Sequence, residues 1–145
     1  MRRIFTIVGL AVLFSAFSCS QSSQKAAFKH NGAAIEFETT EYDYGTIPYK
    51  GNGSYEFVFR NTGKEPLILK NVRSSCGCTV PEWPKDPIKK GDKGKIKVKY
   101  NTSVTGKFAK SVSVFSNASE RPIVLVIKGK VEEAAKEMTT APEKN

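Results

Sequence analysis

A chain of 145 residues suits one domain. Its single histidine excludes most general acid–base schemes. A net charge of +9 invites a nucleic-acid partner, but the export signal described next argues against one, because an exported protein does not meet its genome.

Arg2 and Arg3 form a positive start, Ile4 to Phe17 is a short apolar run, and Ala16-Phe17-Ser18 leads into Cys19. This is the layout of a secretory signal. The apolar run falls short of the ~20 residues of an ordinary membrane span. The segment resembles the lipobox of bacterial lipoproteins, which implies cleavage before Cys19 and diacylglycerol on its thiol. Residues 1–18 are then a signal peptide. Their removal takes two arginines and no acids, so 23 basic residues become 21 against 14 acids and the charge becomes +7. Anionic headgroups or acidic envelope polymers suit such a charge, and so does a plain lysine-rich solvated surface. Residues 19–33, polar and rich in Ser, Gln and Lys, read as a flexible tether. No acidic cluster follows Cys19, which favours a periplasm-facing protein over a surface-exposed one.

From Ala34 the hydrophobic period is two. Ala34–Phe37 and Glu41–Ile47 are the first extended pieces, and Tyr49–Gly53 is a turn. Ser54–Asn61 alternates, with Tyr55, Phe57 and Phe59 on one face and Glu56, Val58 and Arg60 on the other. Burying such rings is worth about 2–3 kcal/mol each, which makes this strand central. Asn61–Pro66 reads as a hairpin-type loop and Leu67–Val72 as the returning strand. Pro81, Pro84 and Pro87 bar a central strand across that stretch. After a turn at Lys89–Gly94, Ile96, Val98 and Tyr100 alternate with Lys95, Lys97 and Lys99. That lysine ladder is either a binding stripe or an edge-protecting face. Phe108–Ser116 is a further strand. Ile123–Ile127 is apolar without alternation, as in a strand buried on both faces or at a dimer seam. Residues 132–145 read as a disordered tail.

The expected fold class is all-β: an immunoglobulin-like β-sandwich of seven to eight strands over residues 34–131.

Cys76-Gly77-Cys78 is the one unusual stretch. In an extended strand residues i and i+2 lie about 6.5–7 Å apart, the outer limit for a disulfide. A bridge therefore requires a puckered backbone, which Gly77 permits, and closes too short a loop to add much stability. Three readings stay open: a structural pair, a thiol-exchange site, or a metal site. The thiol-exchange reading lacks the Cys-x-x-Cys spacing and helix N-terminus that lower a thiol pKa. The metal reading lacks further ligands, because His30 lies in the tether and Met138 in the tail. Trp83 is a candidate contact residue or a lid over one end of the sandwich. No catalytic residue, metal or cofactor is expected.

Tyr42-Asp43-Tyr44-Gly45-Thr46-Ile47, Phe57 to Ile68, Ser75-Cys76-Gly77-Cys78-Thr79-Val80-Pro81 and Pro87 to Gly94 together resemble the bacterial domain of unknown function numbered 1573, typical of secreted and lipid-anchored proteins of the Bacteroidetes group. The resemblance implies an Ig-like sandwich and no established activity. The expected function is a non-enzymatic binding or scaffolding module in the cell envelope, lipid-anchored at Cys19, with an unknown protein or envelope component as partner. The alternative is a thiol-based redox or metal-binding role for Cys76 and Cys78.

Overall fold

The structure, a computed structural model, describes residues 26–133. The signal segment, Cys19 and the tail beyond Glu133 lie outside the described residues. Among the described residues nine strands run in chain order: β1 (Ala26–His30), β2 (Ala33–Phe37), β3 (Glu41–Ile47), β4 (Ser54–Asn61), β5 (Leu69–Ser74), β6 (Thr79–Glu82), β7 (Lys93–Tyr100), β8 (Gly106–Ser116) and β9 (Ser119–Val131). They form a five-stranded sheet in the order β1-β2-β4-β7-β6 and a four-stranded sheet in the order β3-β9-β8-β5. All pairings are antiparallel except β3 with β9.

The alternating residues behave as their period dictates. Phe57 and Phe59 of β4, and Ile96 and Val98 of β7, are fully buried. They meet Val112, Val114, Leu125 and Ile127 of the other sheet in one hydrophobic cluster. The lysines of β7 stand on the outer face instead. Pro81 falls in β6, an edge strand of only four residues, where a missing N–H costs the ladder little.

Three expectations are corrected. Residues 26–30, expected as part of a flexible tether, are a strand that pairs with β2 from Ala26↔Phe37 to His30↔Ala33. Phe28, on this added strand, packs against the core, which its polar neighbours hid. Residues 34–131 hold the eight strands β2 to β9, the upper end of the expected seven to eight, and β1 makes nine among the described residues. Asn61–Pro66 does not close a hairpin, since β4 and β5 belong to different sheets. Finally, Ile123–Ile127 is buried on one face only: Ile123, Leu125 and Ile127 point inward while Val124 is 49% exposed. A sheet with one solvated face tolerates a β-branched valine outside, so the apolar run concealed an ordinary alternation.

Asn61 pins the crossover at the end of β4. Its side chain is fully buried yet fully used. Nδ2 donates to the Glu65 carbonyl at 2.8 Å and to the Ile88 carbonyl at 2.9 Å, and Oδ1 accepts from the Gly63 N–H at 2.9 Å. Its backbone N–H donates to Asp92 and its carbonyl accepts from Gly91. Gly63 is forced by packing: a Cβ there would sit 2.4 Å from the Ala34 nitrogen. Asn61→Ala removes these three side-chain bonds and leaves the buried Gly63 N–H without its acceptor, although the Ile88 carbonyl keeps the Leu67 N–H. It should lower the unfolding free energy by about 3 kcal/mol, while the exposed neighbour change Thr62→Ala stays within about 0.5 kcal/mol. Urea unfolding of both variants checks this.

Candidate functional site

The cysteine pair lies where the chain crosses from one sheet to the other. β5 is an edge of the four-stranded sheet and β6 an edge of the five-stranded sheet, and residues 75–78 are the turn between them. Hydrogen bonds fix that turn on both sides. The Ser75 N–H donates to the Ser111 carbonyl at 2.9 Å, and the Ser75 hydroxyl accepts from the Ser111 N–H at 3.2 Å. The Ser74 hydroxyl donates to the Cys76 carbonyl at 2.7 Å. The Asn101 N–H donates to the Cys78 carbonyl at 2.8 Å.

Cys76 and Cys78 are joined as a disulfide. The turn draws their Cα atoms to 5.4 Å, inside the usual range and well short of the extended spacing. Both residues are half-buried. Cys78 packs against the hydrophobic core, and the Cys76 sulfur lies 3.9 Å from the Thr79 hydroxyl oxygen. A metal site would need both cysteines as thiolates; here their sulfurs are spent on each other. Gly77 has a different role from the one its spacing suggested. Its φ is not left-handed, and a Cβ there would meet nothing within 4 Å. The turn itself, held by Ser75 and Asn101, supplies the pucker.

Trp83 stands one residue beyond β6, half-buried, with its ring packed on the core. Lys85 places its ammonium 3.0 Å from the ring centroid, a cation–π contact, and the indole Nε1 is buried without a hydrogen-bond partner. His30 ends β1 with Nε2 3.6 Å from Glu120. The structure thus keeps His30, Trp83 and the cysteine pair as separate features of the strand ends, apart from their common attachment to the sandwich. Cys19 and Met138 lie outside the described residues.

The lysines on the outer face of β7 are neutralised in part. Lys93 pairs with Glu38 at 2.9 Å and Lys95 with Glu56 at 2.7 Å, while Lys97 stands opposite both Glu56 and Glu82. The hydrogen bond from Lys95, with its charge, holds the Glu56 carboxyl below the ordinary range and raises Lys95 in turn. Lys128 is likewise raised by its bond to Glu41.

Sequence reading passed over an aromatic group at the end that carries the disulfide. Tyr42 stacks on Tyr55 with centroids 3.5 Å apart, and Tyr100 stacks on Phe108 at 3.8 Å. The Tyr44 hydroxyl donates to the Gly53 carbonyl at 2.9 Å, tying β3 of one sheet to the loop before β4 of the other. Burial pushes the Tyr44 phenol well above its ordinary value, and Tyr42 and Tyr55 push it the same way, so it stays protonated as a donor. The signal was Tyr42, Tyr44 and Tyr55 at alternate positions of two strands, but their meeting depends on which sheet each strand joins.

Two antiparallel-rich sheets packed face to face, with the chain crossing repeatedly between them, define an immunoglobulin-like β-sandwich. The chain belongs to the family described as "Protein of unknown function (DUF1573)", whose profile matches residues 35–131. Among solved structures, a Porphyromonas gingivalis W83 protein of unknown function superposes with a TM-score of 0.62 at 18% identity, over 68% of this chain and 46% of that one. The chain thus spans less than half of that relative. A PapD-like domain of human CEP192 gives 0.55 at 8% identity, over 89% of this chain and 99% of that domain. The secreted serine protease VesC of Vibrio cholerae gives 0.53 at 13% identity, over 70% of this chain but only 24% of the protease. At these identities the likeness is one of fold. No curated protein matches the sequence.

Gly77→Ala should leave the disulfide formed and the unfolding midpoint unchanged or slightly raised, because the position has room and no left-handed φ. Thiol alkylation and thermal melts check this. Replacing both cysteines by serine should cost no more than about 1.5 kcal/mol, the loop-entropy value for a three-residue closure, and should leave the chain folded.

Proposed function

We propose that this chain is an exported, lipid-anchored protein of the cell envelope, facing the periplasm, whose sandwich is a non-enzymatic binding or scaffolding module. The observation that carries the binding role is the β5 edge. β5 pairs with β8 on one side only. Since the Ser75 N–H is bonded toward β8, the antiparallel alternation turns the N–H groups of Ser74 and Val72 away from it. Such an edge recruits an extended peptide of a partner protein by strand addition, with main-chain hydrogen bonds giving affinity. β6, by contrast, is blunted by its length and by Pro81. The anchor rests on Arg2, Arg3, the apolar run and the small residues leading to Cys19.

A photo-crosslinking residue placed at Lys70 or Arg73 should give a defined envelope-protein adduct, and the same residue at Lys97, on the face of the other sheet, should not. The Cys76→Ser, Cys78→Ser double variant should keep the adduct. Equal labelling from all three positions would sink the edge reading. For the anchor, mass spectrometry of the purified protein should find diacylglycerol on Cys19, and Cys19→Ser should move the protein out of the detergent phase in a partition assay.

A second reading is favoured by the half-exposed position of the bridge at a surface turn. In it an external thiolate attacks one sulfur and expels the other as a thiolate, and a second external thiol completes reduction of the pair while a disulfide forms between the external thiols. A bridge that stays intact throughout the envelope range of glutathione redox buffers would remove this reading.

A further inference from the structure

The end of the sandwich that holds the disulfide also holds a cleft of about 430 Å³ between the β3–β4 loop and the β7–β8 loop. Its polar lining includes Lys50, Asn52, Ser54, Lys99, Asn101 and Ser103, beside Thr102 and Tyr100, and no carboxylate lines it. Three observations make it more than a gap between loops.

The first is charge. Lys93 and Lys95, elsewhere on the outer face of β7, are each paired with a glutamate. Among the described residues Lys50 and Lys99 have no carboxylate partner. The register places Lys99 opposite Ser54, so one cation of the cleft stands on β7 and the other on the facing loop.

The second is polarity of the hydrogen-bonding groups. The Asn52 side-chain Oδ1 accepts from the Ser54 N–H at 3.0 Å, and the Asn101 Oδ1 accepts from the Ser103 N–H at 3.0 Å. Each asparagine has thereby placed its acceptor against the backbone, and its NH₂ is what remains to offer. Two ammonium groups, two amide NH₂ groups and two serine hydroxyls are a donor set without a competing negative charge.

The third is that the cleft is built in advance. The Lys50 N–H donates to the Thr102 carbonyl at 3.1 Å, the Thr102 hydroxyl donates to the Gly51 carbonyl at 2.8 Å, and the Tyr100 N–H donates to the Gly53 carbonyl at 2.8 Å. Tyr44 reaches the same Gly53 carbonyl from β3. The Cys78 carbonyl holds the Asn101 N–H from behind. Lys50 is kept at a φ of 57°, a left-handed conformation that a long side chain rarely adopts, which marks a position held by its surroundings.

We infer that this cleft binds a phosphate group, gripped by the Lys50 and Lys99 ammoniums and by the amide and hydroxyl donors of Asn52, Asn101, Ser54 and Ser103. The phosphate is either free or carried on a glycerol headgroup, and the chemistry of recognition is the same for both. The site is separate from the β5 edge, so it stands or falls independently of strand addition.

The test uses the full chain in detergent micelles, with backbone amide shifts followed by NMR during titration. Inorganic phosphate and glycerol phosphate are the two probes, with sodium chloride and sodium acetate as controls. Saturable shifts of Asn52, Ser54, Asn101 and Ser103 are expected with at least one phosphate probe, and the tighter of the two identifies the source. Lys50→Asn, which keeps a residue suited to left-handed φ, and Lys99→Gln should each weaken binding about tenfold. Lys93→Gln with Lys95→Gln should leave it unchanged. The proposal is overturned by any of three results: no saturable shift, equal weakening by both lysine pairs, or equal response to acetate or chloride. Unchanged amide shifts in the free lysine variants establish that they are folded.

Discussion

One buried amide fixes how the two sheets are joined. β4 lies in the middle of the five-stranded sheet, and the chain must leave it to start β5 at the edge of the other. A crossover of this kind strips water from backbone groups that no ladder can serve, and each unpaired group is costly. Asn61 serves them: its side chain takes up the carbonyls of Glu65 and Ile88 and the N–H of Gly63, while its backbone bonds to Gly91 and Asp92. The β4–β5 crossover and the turn before β7 are thereby locked to each other. Where β5 then lies, and so where the cysteine turn falls, follows from this anchor.

The cysteine turn makes the reverse crossing, at the opposite end of β4. Its bridge closes too few residues to matter much to the unfolded chain. Its local effect is larger: it draws Cys76 and Cys78 together within a turn whose two carbonyls accept from Ser74 and Asn101. The disulfide thus braces the end of the sandwich where the Gly53 and Asn101 loops meet. In its setting the motif is tied by backbone hydrogen bonds to the neighbouring Asn101 loop and to Ser111 of β8. The same setting leaves both sulfurs half-exposed, which is why exchange chemistry keeps a physical basis.

Charge is distributed along the same axis. The lysines of β7 nearest Asn61 are matched by Glu38 and Glu56, so that face is a solvated mosaic. At the far end of the strand Lys99 has no such partner among the described residues and lines the cleft together with Lys50, whose ammonium lies 5.3 Å from the Tyr49 ring centroid. The net positive charge therefore has a local expression at one end and a partly neutralised one along the face. A uniform binding stripe, one of the two expectations from the alternating lysines, does not describe it.

The sequence by itself determined what is local. Period-two alternation in Ser54–Asn61 and Lys95–Tyr100 made these residues strands and named their inner faces, because side-chain direction in a strand depends only on neighbours along the chain. The prolines after Thr79 marked an edge for the same reason. Tertiary structure decided what is non-local. That Ile123–Ile127 has a wet face, that Ala26–His30 is a strand, and that Asn61–Pro66 crosses between sheets all depend on partners far away in sequence. The cleft joins Lys50 to Lys99, and the cysteine turn is shaped by Ser111 and Asn101; no spacing along the chain encodes such meetings. Backbone hydrogen bonding must be satisfied somewhere in every strand, but only the packed sheets settle by which neighbour.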